Sequence, residues 1–82
     1  MRLDKYLKVS RLIKRRTVAN ELCDAKHVFV NEKAARASYD VKEGDIIAIH
    51  MGNRVIKVRV VSVSEYATKE TAGTLYELLS NL

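Results

Sequence analysis

The sequence predicts an α+β fold in which two short helices precede a small, mainly antiparallel sheet. Apolar side chains recur at helical spacing near the N-terminus, whereas later runs are rich in β-branched residues. Two of those runs, 46–51 and 54–63, flank Gly52-Asn53, a strong signal for a two-residue hairpin turn. The chain has 82 residues, enough for one hydrophobic core, so residues 1–82 are expected to form a single domain.

Both predicted helices are amphipathic, and a basic loop joins them. The first is expected over residues 3–9, and its apolar face contains Leu3, Tyr6 and Leu7. The second is expected over about 16–25, where a stripe of apolar side chains comprises Val18, Ala19, Leu22 and Cys23. In the loop, Leu12 and Ile13 interrupt a cationic run, and we expect these two side chains to fix the loop to the core.

Strand patterns occupy the middle of the chain. A short apolar alternation over residues 27–31 predicts the first strand, and residues 33–45 are interpreted as a loop or a short irregular strand. That segment closes at Gly44, which suits a turn position with positive φ. Within 54–63, branched and cationic side chains alternate, which is typical of a half-buried antiparallel strand.

The end of the chain is predicted to be a helix over about residues 69–80, with Thr68 as its N-cap. Apolar residues fall on one face at helical spacing there, although Gly73 lowers the helix propensity. The face comprises Ala72, Leu75, Tyr76 and Leu79. The predicted element order is therefore α-α-β-β-β-β-α.

Positive charge is concentrated at the N-terminus. The chain carries a net charge of +5 and has a pI near 9.6. Residues 1–16 contain seven basic side chains against one acidic one, while the remaining residues are close to neutral. The seven are Arg2, Lys5, Lys8, Arg11, Lys14, Arg15 and Arg16. Such a patch attracts polyanions, of which a nucleic-acid backbone is the commonest in the cytoplasm. A solvated helix face is the alternative interpretation of the same charges.

No catalytic or metal-binding constellation is evident. His27 and His50 lie on separate predicted strands, and the single cysteine, Cys23, sits in an apolar stripe. The glycines are too scattered for a phosphate-binding loop. We therefore expect a binding protein with no enzymatic activity, cofactor, metal or small-molecule substrate.

No membrane span or export signal is evident, and the expected location is the cytoplasm. The chain contains no apolar run of about 18 residues, which a membrane span requires. Its first residues alternate charged with apolar side chains and form no signal core. A single cysteine also fits a reducing compartment.

An ordered set of motifs over about residues 1–50 resembles the RNA-binding domain named after the small-subunit ribosomal protein S-four. The matching motifs are Arg2-Leu3-Asp4, Arg16-Thr17-Val18-Ala19, Val28-Phe29-Val30-Asn31 and Val41 with Gly44-Asp45. Lys26 and Glu32 stand where that family usually has glycine. Residues 51–82 would then form an extension of the domain core.

The resemblance implies that the two helices form an L-shaped, RNA-binding face. Among stand-alone members of the family, it implies binding to a large ribosomal subunit obstructed by peptidyl-tRNA. The partners would be large-subunit rRNA, the tRNA and the tailing factor RqcH. The chain would act as a monomer and would support the C-terminal alanine tailing of stalled nascent chains by RqcH. The RNA-binding residues would be the seven basic residues together with Thr17. Arg16, at the start of the second helix, would grip a phosphate. His27, Lys33 and Tyr39 are further candidate contacts.

Two alternative functions remain open at this point. The chain could be an rRNA-binding factor in large-subunit assembly, acting on immature particles that hold no tRNA. It could also be a protein-interaction module that docks through the predicted C-terminal helix and the 54–63 strand. Apolar surface for it would come from Leu75, Leu78, Leu79 and Leu82.

Overall fold

The computed structural model describes residues 1–81 of the chain. Two α-helices come first, α1 (Leu3–Val9) and α2 (Arg16–Asp24). Five strands follow, β1 (Val28–Val30), β2 (Lys33–Ala34), β3 (Ile46–Met51), β4 (Arg54–Val60) and β5 (Tyr76–Asn81), and a 3₁₀ helix (Ala72–Thr74) precedes β5. Among the described residues, no helix has the length and apolar character needed to cross a membrane.

The strands form one antiparallel sheet in the order β2-β1-β3-β4-β5. The predicted hairpin between β3 and β4 is confirmed, with Met51 paired to Arg54 across a two-residue turn. Gly52 has φ +59° there, so a glycine suits the first turn position, as in type II′ turns. The β1–β2 turn is different, because Asn31 and Glu32 both adopt positive φ without being glycine.

The hydrophobic core lies between the two helices and one face of the sheet. The helices contribute Leu3, Tyr6, Leu7, Ala19 and Cys23, and the strands contribute Val28, Val30, Ile47, Ile49, Val58 and Val60. The alternation predicted for β4 is confirmed, since Val58 and Val60 are buried while Arg59 is exposed. The predicted role of the apolar pair in the interhelical loop is also confirmed: Ile13 is buried, and Leu12 packs half-buried against the core.

The predicted C-terminal helix is wrong. Over 69–80 the chain forms only the short 3₁₀ helix and then β5, which pairs along the edge of β4. Without β5, β4 would leave a row of backbone groups unpaired, and this long-range pairing overrides a local helical pattern already weakened by Gly73. An ion pair from Arg59 to Glu77 links the two strands.

Helix α2 ends in a left-handed turn at Lys26, which has φ +62°. The Lys26 N–H donates to the Cys23 carbonyl (3.0 Å), and the His27 N–H donates to the Leu22 carbonyl (2.9 Å). These two bonds form a Schellman motif, in which glycine usually occupies the left-handed position. The helix thus ends in the usual geometry, at the conformational cost of placing a lysine there.

Candidate nucleic-acid interface

A buried carboxylate organises the cationic surface where the two helices meet. The side chain of Asp4, in the first turn of α1, is only 3% exposed. Its oxygens accept hydrogen bonds from Arg2 Nε (3.2 Å), Asn20 Nδ2 (3.2 Å), Arg16 Nη2 (3.4 Å) and the Lys5 backbone N–H (2.8 Å). Arg16 and Asn20, which follow Asp4 by 12 and 16 positions in the chain, therefore converge on this carboxylate. We call Arg2, Asp4, Arg16 and Asn20 the Asp4 cluster.

Asp4 is held in its charged form. Burial alone would raise the pKa of this carboxyl, but the hydrogen bonds from Arg2, Asn20 and Arg16 outweigh it and bring the pKa below its usual value. The carboxylate can thus fix both guanidinium groups in one orientation. The net charge of the two arginines and Asp4 is +1, so the surface is less cationic here than a count of basic residues predicts.

The predicted anchor, Arg16, lies at the start of α2. Its side chain is 47% exposed. Its Nη2 donates to Asp4 Oδ1 (3.4 Å) and its Nε lies 3.4 Å from Asp4 Oδ2, so Asp4 engages two of its five N–H groups. The residue before it, Arg15, has extended backbone and makes no side-chain cap, and the first turn of α2 contains no acidic residue. A helix start of this kind favours anions, because its first N–H groups lack intrahelical partners. Exposed Thr17 lies beside it, in a groove of about 390 Å³ whose lining also includes the carboxylates of Asp4 and exposed Glu21.

The side chains of the other predicted cations make no hydrogen bond or ion pair with Asp4 among the described residues. Lys14 and Arg15 are exposed in the interhelical loop. Lys8 and Arg11 line a different groove, beside residues 65–71. Across residues 1–81, no ion pair or side-chain hydrogen bond engages any of these four side chains.

The remaining predicted cation, Lys5, is already engaged in an ion pair. Its Nζ lies 3.6 Å from Glu65 Oε1, so part of its charge is offset within the protein. The N-terminal excess of charge is therefore divided among the Asp4 cluster, the loop cations and the groove beside 65–71.

The side chains of the three further candidates make no hydrogen bond or ion pair with the Asp4 cluster among the described residues. Lys33 and Tyr39 share a concavity of about 620 Å³ with Arg36. The Tyr39 hydroxyl donates to Asp45 Oδ2 (2.9 Å), and this bond, with a smaller effect of burial, raises the pKa of Tyr39. His27 is exposed in the turn after α2, and its carbonyl accepts from the His50 N–H (2.8 Å).

Two residues of this surface were not singled out from the sequence. Asn20 is a donor to Asp4, and Arg36 lines a groove of about 500 Å³ between α2 and residues 34–38, together with Arg2 and Lys26. Asn20 lies one helical turn after Arg16, a spacing that places both on one helix face. No comparable signal marks Arg36, because it lies in a loop whose position depends on the packed fold.

The buried thiol of Cys23 offers no reactive group. Burial raises its pKa to about 11, with smaller contributions from Asp4 and Asp24, so the thiol is protonated at neutral pH. Within residues 1–81, no group of three or more His, Cys, Asp or Glu side chains is placed to hold a metal ion.

The sequence of this chain is similar to those of a known protein family. A family model described as the S4 domain matches residues 1–47. The chain is 51% identical to an RQC P-site tRNA stabilizing factor of Halalkalibacterium halodurans, over 95% of this chain and 89% of the relative. It is 48% identical to the protein of the same name from Streptococcus pneumoniae, over 98% of this chain and 91% of that one.

The fold also matches a solved structure. Heat shock protein 15 of Vibrio cholerae, described as trimeric, superposes with a TM-score of 0.89 at 26% sequence identity. The match covers 98% of this chain and 82% of the Vibrio chain. This likeness includes the C-terminal part of the chain, which the family model does not reach.

Proposed function

This chain belongs to the S4-domain proteins and, within them, to the family of the RQC P-site tRNA stabilizing factors, and we propose that it binds tRNA on the large ribosomal subunit. In this proposal the subunit is obstructed by peptidyl-tRNA, and the protein contacts both the tRNA and large-subunit rRNA. It acts without catalysis, as a cytoplasmic monomer, and supports C-terminal alanine tailing by an RqcH-type factor. The assignment of tRNA as a ligand and of a role in ribosome quality control is supported by the names of its relatives.

The observation that carries the proposal is the fixed pair of arginines in the Asp4 cluster. The Asp4 carboxylate orients Arg2 and Arg16 from the buried side, while both side chains remain about half exposed to an incoming ligand. Each guanidinium retains N–H donors that Asp4 does not use, and a planar guanidinium can bind a phosphate through two hydrogen bonds. Because the side chains are already ordered, binding costs less conformational entropy than it would for free arginines.

The proposed mode of recognition is backbone binding. Guanidinium and helix-start N–H groups contact phosphates and carry little direct sequence information. We therefore expect structured RNA to be recognised mainly through its shape. Affinity should fall steeply with salt, and each phosphate contact should add roughly 0.7–0.9 to the slope of log K against log salt.

Arg16→Ala tests the anchor, and Arg59→Ala is its matched control. Both arginines are about half exposed, at 47% and 49%, and both pair with a carboxylate, but Arg59 lies on the sheet face away from the core. Co-sedimentation with purified large subunits should fall about tenfold or more for Arg16→Ala, an effect of the size expected when a charge-assisted contact is lost. Arg59→Ala should change it much less.

A folded Arg16→Ala protein that sediments with large subunits like the wild type would contradict the anchor assignment. Equal losses in the two variants would indicate diffuse electrostatic attraction instead of a defined site. Circular dichroism of both variants establishes that they are folded.

The assembly-factor alternative is distinguished by the particle that the protein selects. Tagged protein should co-purify with large subunits that carry tRNA and nascent chain. Recovery mainly on immature particles without tRNA would favour a role in assembly.

The alternative of docking through a C-terminal helix depended on a helix that does not form among the described residues. The segment is β5, which is hydrogen-bonded to β4 along one edge. Two of the four leucines assigned to that surface, Leu78 and Leu79, are indeed exposed, but Leu75 is buried in the core. Leu82 lies outside the described residues.

A further inference from the structure

An exposed aromatic ring stands beside two cations at the far end of α1. Tyr66 is 87% exposed, whereas Tyr6 is buried and Tyr39 and Tyr76 are partly buried. It lines a groove of about 370 Å³ between the end of α1 and residues 65–71. The groove is distinct from the Asp4 cluster and shares no lining residue with it.

The backbone that presents Tyr66 is held on both sides. Before it, the Ser64 hydroxyl donates to the Tyr66 carbonyl (2.8 Å). After it, the Thr68 N–H donates to Thr71 Oγ1 (2.9 Å), and the Ala72 N–H donates to the Thr68 carbonyl (2.9 Å). These turns order the segment before any ligand arrives, so fixing the ring on a ligand costs little backbone entropy.

The charges of the groove suit a phosphate beside the ring. Lys8 and Arg11 line it, and within residues 1–81 neither side chain has an ion-pair partner. The acidic residue of the lining, Glu65, is partly offset by Lys5 at 3.6 Å. The groove thus combines an exposed π-face, two cations without an ion-pair partner and a carboxylate whose charge is partly offset.

We propose that this groove binds one unpaired RNA nucleotide, with its base stacked on Tyr66 and its phosphate against Lys8 and Arg11. Every base has a π-face, so stacking on an aromatic side chain is tolerant of sequence, and adjacent cations bind the backbone. The proposal rests on the RNA-binding function but adds a second contact, at a different place and of different chemistry. It predicts that the ligand has an unpaired nucleotide in addition to the segment bound by the Asp4 cluster.

The test compares two labelled probes by fluorescence anisotropy: a short oligoadenylate and an abasic ribose-phosphate oligomer of the same length. The wild type should bind the oligoadenylate more tightly. Tyr66→Ala should weaken oligoadenylate binding about tenfold, within the range found for loss of one stacked base, and leave the abasic oligomer unaffected. Tyr66→Phe keeps the ring and should bind like the wild type.

Two further variants separate stacking from charge and from general loss of apolar surface. Arg11 has φ +62°, a conformation that suits glycine, so Arg11→Gly removes a cation without straining the folded backbone. It should weaken binding of both probes equally. Leu78→Ala removes an exposed apolar side chain from β5, away from this groove, and should change neither.

The stacking proposal is overturned if the wild type shows no preference for the oligoadenylate. It is overturned equally if Tyr66→Ala binds both probes as the wild type does, or if Tyr66→Phe loses as much as Tyr66→Ala. Large-subunit co-sedimentation of Arg16→Ala is scored separately. A loss there, combined with an unaffected Tyr66→Ala, would refute this second contact and leave the proposed function standing.

Discussion

Replacing Asp4 by asparagine is expected to lower the free energy of unfolding by about 2–3 kcal/mol and to weaken RNA binding, although it makes the protein more cationic. If charge alone determined RNA affinity, removing a carboxylate would strengthen binding. If the orientation of Arg2 and Arg16 determines it, removing their common acceptor should weaken binding. The same variant therefore separates the two explanations.

The magnitude follows from the contacts of the two carboxylate oxygens. An asparagine can keep an oxygen for the Lys5 N–H (2.8 Å). Its amino group then faces the donors of Arg2 (3.4 Å) and Asn20 (3.2 Å), and also Arg16 Nε (3.4 Å). Losing one charged and one neutral hydrogen bond costs about 2–3 kcal/mol. Arg2 and Arg16 are half exposed, so water screens the lost ionic attraction and adds little to this cost.

The pH dependence of stability has a definite sign. Because folding lowers the pKa of Asp4, its contribution to stability is complete above the pKa of the unfolded chain and is lost as pH falls through the folded value. Wild-type protein should therefore lose stability below about pH 4, since an unfolded aspartate titrates near 3.9. Asp4→Asn should lose less over the same pH range.

Urea unfolding at neutral and acidic pH measures the stability, and co-sedimentation with large subunits measures the binding. Asp24→Asn is the control, because it removes one negative charge at an exposed position on α2. An Asp4→Asn protein with wild-type stability and equal or tighter binding would refute the argument that this carboxylate positions the arginines.

Two further predictions concern the fold alone, and urea midpoints measure both. Tyr6→Phe removes the buried hydroxyl bond to the Leu75 carbonyl (2.6 Å), and should cost about 1 kcal/mol, because that carbonyl still accepts from the Val61 and Ser62 N–H groups. A loss above about 3 kcal/mol would mean that the hydroxyl does more than make this bond. Lys26→Gly should stabilise the protein by about 0.5–1 kcal/mol. Glycine removes the left-handed strain at φ +62°, but its greater conformational entropy in the unfolded chain offsets part of that stabilisation. An unchanged or lower midpoint would contradict this.

Most of the secondary structure was predictable because it depends on neighbouring residues. The bounds of α1 and β3 agree with the predicted ranges 3–9 and 46–51. Apolar periodicity and the Gly52-Asn53 turn act over a few residues, so the local sequence determines them. Local periodicity gave the wrong prediction for residues 69–80. Strand β5 forms because it pairs with the edge of β4, and this long-range pairing leaves no signal in the neighbouring sequence.

Composition and local periodicity are enough to establish a cationic N-terminal region and a helix that begins at Arg16. Only the tertiary structure determined what surrounds that arginine. Burial of Asp4 depends on the packing of α1 against α2, and it converts part of a charged run into an oriented pair of guanidinium groups. The groove at Tyr66 likewise requires residues 65–71 to lie beside α1, a contact between segments more than 50 residues apart. Charge is a property of composition, but orientation depends on long-range packing.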